Sequence, residues 1–150
     1  MNFIIRIGEK RDIPYIQQIE AASYDNPWPN SLFYLLQSQS PDLFLVADHD
    51  GEIIGYAIGE IEKDVKGSIG HIVNIAVTVL WRRRGIGNRL LDDLERLFLE
   101  YGVTKAYLEV RITNDGAQAL YKRRGYEIIK TLKKYYVNED GFYMEKSFKR

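Results

Sequence analysis

The chain has 150 residues, with 21 Lys and Arg against 21 Asp and Glu, so its formal charge is zero. A single domain of this length buries roughly 68–70% of the surface its unfolded form exposes, enough for a core without disulfide or metal staples. The absence of Cys excludes thiolate nucleophiles, Cys-ligated zinc, iron–sulfur clusters and the disulfide-rich secreted classes. No apolar run reaches the ~18–20 residues that cross a bilayer, and the stretch from Met1 to Arg11 is charged. No membrane partner is expected, and the expected location is the cytoplasm.

Charge is unevenly spread. Residues 1–121 carry 12 basic and 17 acidic groups, a net of −5, while 122–150 carry 9 and 4, a net of +5. A charge run of this kind reads as a solvated face. A nucleic-acid module would show an overall basic balance, so nucleic acid is not the expected partner.

Residues 3–7 alternate apolar and polar as a first strand. Asp12 before Ile13 and Pro14 places a capping residue ahead of a first-turn proline, and Ile13, Ile16, Ile19 and Ala22 continue at helical spacing. Pro27, Trp28 and Pro29 make a loop, and a short helix follows over 31–38. Strands over 43–47 and 53–62 flank the turn composition Asp48, His49, Asp50, Gly51 and form an antiparallel hairpin. The run 69–79, apolar nearly throughout, predicts a central strand.

The period then changes. Ile86, Leu90, Leu91, Leu94, Leu97, Phe98 and Tyr101 make the stripe of a long helix that ends near Gly102. A buried strand over 103–112 follows, so strand, helix, strand implies a parallel crossover. A helix over 114–124 and strands over 126–135 and 141–148, with a turn at 138–141, complete one domain over 1–150. The fold class is α/β (α+β), with seven strands in a mixed, mostly antiparallel sheet and four helices packed on it.

Chemistry concentrates at Arg82, Arg83, Arg84, Gly85, Ile86, Gly87 and Asn88, where the central strand meets the long helix. The first N–H groups of a helix lack internal partners and lie at the positive end of its dipole, so a glycine turn there wraps an anion. The composition is that of a pyrophosphate cradle. No Lys-Ser/Thr follows as a Walker loop requires, and Leu90 stands where a dinucleotide fingerprint needs its third glycine.

Glu109 lies in the apolar strand, and twelve residues on stands Tyr121, near the end of a helix, with Asn114 between them. A carboxylate in apolar surroundings is costly unless paired, and its pKa is expected to rise toward that of a usable base. Taken singly, Glu109 also reads as an ion-pair partner and Tyr121 as a packing aromatic.

The ordered set Ile75-Ala76-Val77, Arg82-x-x-Gly85-x-Gly87, Leu108-Glu109-Val110-Arg111-x-x-Asn114 and Ala119-Leu120-Tyr121-x-x-x-Gly125-Tyr126 resembles the GCN5-related N-acetyltransferases (GNAT). Within them it looks like the RimI-type and archaeal protein N-terminal acetyltransferases. The likeness spans the chain, from Pro27-Trp28 to Tyr135-Tyr136 and Glu139-Asp140.

The resemblance implies a sheet splayed at its central parallel pair, and acetyl-CoA as cosubstrate with no metal. It implies the pyrophosphate on the backbone of Arg82 to Asn88, the pantetheine arm along Ile75, Ala76 and Val77, and Asn114 on the CoA arm. Glu109 is implied as general base and Tyr121 as general acid for the leaving thiolate, with a backbone N–H near Val77 polarising the thioester carbonyl. His71 matches a histidine of archaeal members and either helps deprotonate the amine or is a strand histidine held by a neighbour. Tyr24, Tyr135 and Tyr136 match the acceptor groove, or pack on the surface. Val79 stands where the family commonly has Pro.

The implied activity is acetyl transfer to the α-amino group of proteins or peptides by direct attack in a ternary complex. Such an amine, with a pKa of about 7.7–8.0 against about 10.4 for lysine, needs only a modest base. The implied partners are protein N termini, with a ribosome or an auxiliary subunit as further candidates, and the chain acts as a monomer or homodimer. An ε-lysine or small-amine acetyltransferase uses the same machinery, and a CoA-binding module without catalysis is the alternative of another class.

Overall fold

The computed structural model describes Asn2–Phe148, so Lys149 and Arg150 of the basic C-terminal stretch lie outside the described residues. The strands are β1 (Ile4–Ile7), β2 (Phe44–His49), β3 (Glu52–Asp64), β4 (Gly67–Val77), β5 (Lys105–Arg111), β6 (Glu127–Tyr136) and β7 (Glu139–Ser147). The helices are α1 (Ile13–Ser23), α2 (Asn30–Gln39), α3 (Ile86–Glu100) and α4 (Asp115–Arg123). The seven strands form one sheet in the order β1-β2-β3-β4-β5-β7-β6, with β4 in the middle as the sequence implies. Pairing is antiparallel for β1 with β2, β2 with β3, β5 with β7 and β6 with β7, and parallel for β4 with β5. The parallel ladder covers Ile69–His71 and Lys105–Tyr107, whereas the strands continue to Val77 and Arg111. Among the described residues no helix is long and apolar enough to cross a membrane.

The chain divides into two compact units, one running through Glu60 and resuming over Asn74–Leu97, the other comprising Ile61–Val73 and the chain from Phe98 onward. In the first, β2 and β3 close across a turn in which Asp50 and Gly51 adopt φ of 50° and 94°, the left-handed pair of a tight hairpin. Ile13, Ile16 and Phe33 of α1 and α2, Val46, Ile54 and Tyr56 of the strands, and Leu90, Leu91 and Leu94 of α3 form its core, each fully buried. Full burial of one such aliphatic side chain contributes about 1.5–3 kcal/mol.

Asp12 does not cap α1 with its side chain, as its place before Ile13 implies. It closes a 3-10 turn over Lys10–Asp12, and its carboxylate accepts from Arg6 Nη1 at 2.8 Å, Arg6 Nη2 at 3.0 Å and Glu9 N at 2.8 Å. A bidentate guanidinium outbids the helix end for those oxygens.

The apolar run 69–79 also overshoots. Strand β4 stops at Val77, and Val79–Trp81 form an exposed 3-10 turn with Val79 and Leu80 in water.

In the second unit, Ala106, Leu108 and Val110 of β5, Met144 of β7, Phe98 at the end of α3, and Tyr121 and Tyr126 build the core. Tyr101, expected on the helix stripe, falls after its last residue and is exposed, because the chain closes there with Val103 N donating to Phe98 O at 2.9 Å. The last hairpin turns at Val137–Asn138 rather than over 138–141, since Tyr136 already pairs with Glu139. Gly141 belongs to β7: a Cβ there would come within 2.8 Å of Tyr136 Cε2, so only glycine lets that ring lie across the strand.

Candidate active site

In the first unit, the turn from β4 to α3 is shaped for an anion. Gly85 takes φ of 81°, where a side chain is strained, and Arg83 takes 63°. Arg89 N then donates to Gly85 O at 3.0 Å as a first helical bond. No acidic residue occupies the first turn of α3, and Arg82, Arg83 and Arg84 stand just before it, all exposed. The positive helix end, the glycine bend and the arginines fit a diphosphate.

The backbone of β4 past the parallel ladder finds its partners among side chains. Tyr24 Oη donates to Ile75 O at 2.8 Å, Asn74 Oδ1 accepts from Ile75 N at 2.9 Å, and Arg82 Nε donates to Val77 O at 2.8 Å. Arg82 also reaches Ser23 Oγ at 3.3 Å, so its guanidinium is turned back on the end of the strand. On the neighbouring strand Gly55 permits close approach, since a Cβ there would lie 3.1 Å from Ala76 O.

Behind this segment sits a carboxylate that the sequence reading missed. Glu20, 2% exposed, accepts from Tyr56 Oη at 2.5 Å, Asn74 Nδ2 at 2.7 Å and Trp28 N at 2.9 Å. Its signal was position: Glu20 continues the buried spacing of Ile13 and Ile16 along α1. The cluster ties the Pro27–Pro29 loop and α1 to β3 and β4.

In the second unit, strand register assembles a polar face. Residues two apart share a face, which places Tyr107 with Glu109 on β5 and Tyr143 with Glu145 on β7. Because His71 pairs with Tyr107 and Glu109 with Tyr143, the four aromatic and acidic side chains meet. His71 stacks on Tyr107 at 4.3 Å with the rings 3° apart, and Tyr107 on Tyr143 at 5.3 Å. His71 Nε2 lies 2.8 Å from Glu109 Oε1; a carboxylate only accepts, so the proton of this bond is on Nε2.

Glu109 therefore does not lie in apolar surroundings, as the composition of its strand suggests. Strand β5 alternates, with Ala106, Leu108 and Val110 buried and Lys105, Tyr107, Glu109 and Arg111 on the half-exposed face. Glu62 Oε2 accepts from Tyr107 Oη at 2.5 Å and stands 3.8 Å from His71 Nδ1. Burial and the Glu62 carboxylate push the Tyr107 phenol well above its ordinary range, and burial with Glu145 does the same for Tyr143. Both stay protonated.

The other expected residues take firm places. Asn114 is the N-cap of α4, its Oδ1 accepting from Ala117 N at 3.1 Å. Tyr121 is 5% exposed and packs edge-on against Tyr126 at 5.8 Å. Tyr136 lies under the Arg111 guanidinium at 4.3 Å, with Arg111 paired to Glu139 at 3.2 Å. Tyr135 is half exposed, and burial together with the field of Glu109 raises its phenol. His49, expected in the turn, ends β2, where its Nδ1 lies 2.6 Å from Asn2 O and its ring meets Trp81.

A model of the acetyltransferase (GNAT) family matches residues 13–126. The chain belongs to the GNAT family. As a GNAT protein it is an acetyl-CoA-dependent acyltransferase. An N-alpha-acetyltransferase of Sulfolobus acidocaldarius is 33% identical over 153 residues, covering 96% of this chain and 91% of its own. An uncharacterized N-acetyltransferase of Methanocaldococcus jannaschii is 37% identical over 139 residues, covering 92% and 85%. The crystal structure of Ard1 from Thermoplasma volcanium matches with a TM-score of 0.93 at 27% identity, covering all of both chains. The GNAT fold thus accounts for the mixed seven-stranded sheet with four helices and its parallel pair.

Proposed function

We propose that this chain transfers the acetyl group of acetyl-CoA to the α-amino group of protein or peptide N termini, by direct attack in a ternary complex. The observation that carries this reading is the bond between His71 Nε2 and Glu109 Oε1, on the half-exposed face of β5, in a chain similar over 96% of its length to an N-alpha-acetyltransferase. One oxygen of Glu109 is held by the imidazole, and the other serves as the base that takes the proton of the incoming ammonium. An α-amine, with a pKa of about 7.7–8.0, gives up that proton far more readily than a lysine at about 10.4.

The backbone of Arg82, Arg83, Arg84, Gly85, Ile86, Gly87 and Asn88 receives the pyrophosphate of the donor. Ile75, Ala76 and Val77 line its pantetheine arm, with the Ile75 and Val77 carbonyls already occupied by Tyr24 and Arg82, and a backbone N–H near Val77 polarises the thioester carbonyl. Asn114 keeps its amide nitrogen for the arm while its oxygen caps α4. Tyr121 protonates the departing thiolate. Tyr135, half exposed, meets the acceptor, and the rings of Tyr24 and Tyr136 shape the acceptor groove.

The test is kinetic. Glu109→Gln is expected to lower kcat by about 100-fold or more, the scale of a general base, with acetyl-CoA affinity by calorimetry unchanged. Tyr121→Phe is expected to lower kcat by less. Rates equal to the parent in both variants would overturn these roles.

A further inference from the structure

We propose that Glu62 is a positioning residue for the reaction, holding the His71 imidazole from the side opposite Glu109 and setting how tightly the His71–Glu109 pair binds its proton. This deepens the proposed function and rests on the reading of Glu109 as base.

The geometry is specific. The imidazole has two nitrogens, and each faces a carboxylate: Nε2 faces Glu109 Oε1 at 2.8 Å, Nδ1 faces Glu62 Oε2 at 3.8 Å. The ring cannot turn freely, because Tyr107 is stacked flat on it at 4.3 Å. Tyr107 in turn donates its hydroxyl to the same Glu62 oxygen, so one side chain supports both the ring that clamps His71 and the charge beside it. The His71 side chain keeps only 15% of its surface in water and Glu109 17%, whereas Glu62 keeps 48%. Glu62 thus stands at the wet edge of a pair that is largely dry, where a charge acts through a lower effective dielectric than in bulk water.

Further charged and titratable groups lie on the strands around this pair. Strand β3 adds Glu60, two residues before Glu62 on the same face. Strand β5 adds Tyr107 and Lys105, the latter paired with Glu145 of β7 at 3.5 Å. Strand β7 adds Tyr143, whose hydroxyl is bound to Glu145 at 2.8 Å and whose ring lies under Lys130 of β6. Strand β6 also adds Tyr135. Of these, Glu62 is the carboxylate that also accepts the hydroxyl of the ring stacked on His71.

The sign follows from charge alone. Two interacting groups share their proton, and a third, negative group beside them favours the protonated form. Removing that charge makes the pair release its proton at lower pH and makes it a weaker base.

The experiment is the pH profile of kcat/KM for an acceptor peptide with Glu62→Gln, which removes the charge and keeps an oxygen for the Tyr107 hydroxyl. The acidic limb is expected to move to lower pH, kcat on the plateau to fall about threefold to tenfold, and the KM for acetyl-CoA to stay the same. Tyr107→Phe, which keeps the stacked ring and frees Glu62, is expected to move the limb less in either direction than Glu62→Gln does. An acidic limb in Glu62→Gln that coincides with the parent's overturns the proposal, since a structural role would change yield or melting and leave the limb in place. Full turnover in Glu109→Gln would instead bring down the base reading beneath it.

Discussion

The Tyr24 hydroxyl donates to the Ile75 carbonyl at 2.8 Å, joining residues 51 positions apart at the point where β4 runs past its parallel ladder. A strand leaving its neighbour exposes carbonyls that must find donors elsewhere. Here a tyrosine and an arginine supply them, at Ile75 and at Val77.

Tyr24→Phe removes that donor and keeps the ring. The carbonyl is left unpaired, and the expected loss is about 1 kcal/mol of stability, read as a lower denaturant midpoint with an unchanged slope. An unchanged midpoint would mean that water replaces the phenol without cost. Weaker acetyl-CoA binding in the same variant would tie the bond to the donor as well as to the fold.

Glu20 is the more severe test. Its carboxylate receives Tyr56, Asn74 and the Trp28 amide in a site that is 2% exposed. Glu20→Ala strands three donors and opens a cavity, and is expected to cost about 3–5 kcal/mol, whereas Glu20→Gln keeps acceptor capacity and costs less. Thermal melts of the two variants rank them. A Glu20→Ala protein as stable as the parent would contradict the role assigned to the cluster.

Asp12 is expected to make the fold less stable in acid. Burial alone pushes its carboxyl up, but hydrogen bonds from Arg6 and the Glu9 amide, with the charge of Arg6, outweigh burial and hold it below the ordinary value of 3.8. A group depressed in the folded state stabilises that state above its ordinary pKa, and the contribution is lost as pH falls through the lower folded value. Between pH 7 and pH 3 the parent is therefore expected to lose more stability than Asp12→Asn, by denaturant melts at both values. Parallel losses would contradict it.

Much of the fold was legible because its signals are local. The α3 stripe needs only the spacing of Ile86, Leu90, Leu91, Leu94 and Phe98, and the hairpin turn needs only Asp50 and Gly51. The errors share a cause. Val79 extends an apolar run that composition cannot cut, and Glu139 to Gly141 have turn residues that pairing and the Tyr136 ring draw into a strand. In β5, Tyr107 counts as apolar and hides the alternation that sets Glu109 on the half-exposed face.

The candidate site was legible in its parts and not in its joins. His71 and Glu109 stand out as residue types in unusual strands, yet their bond depends on the parallel register of Ile69–His71 with Lys105–Tyr107. Glu62 and Glu20 gave weaker signs, since an acid in a strand end or on a helix is ordinary until its partners are known. Long-range pairing decides which of many acids matters.

The most direct measurement is tandem mass spectrometry of a peptide library incubated with acetyl-CoA and this protein, in which every peptide has both a free N terminus and an internal lysine. The expected result is acetyl on the α-amino group, with internal lysines unmodified. Acetyl confined to lysine side chains, or no transfer to any peptide while acetyl-CoA is bound, would contradict the account.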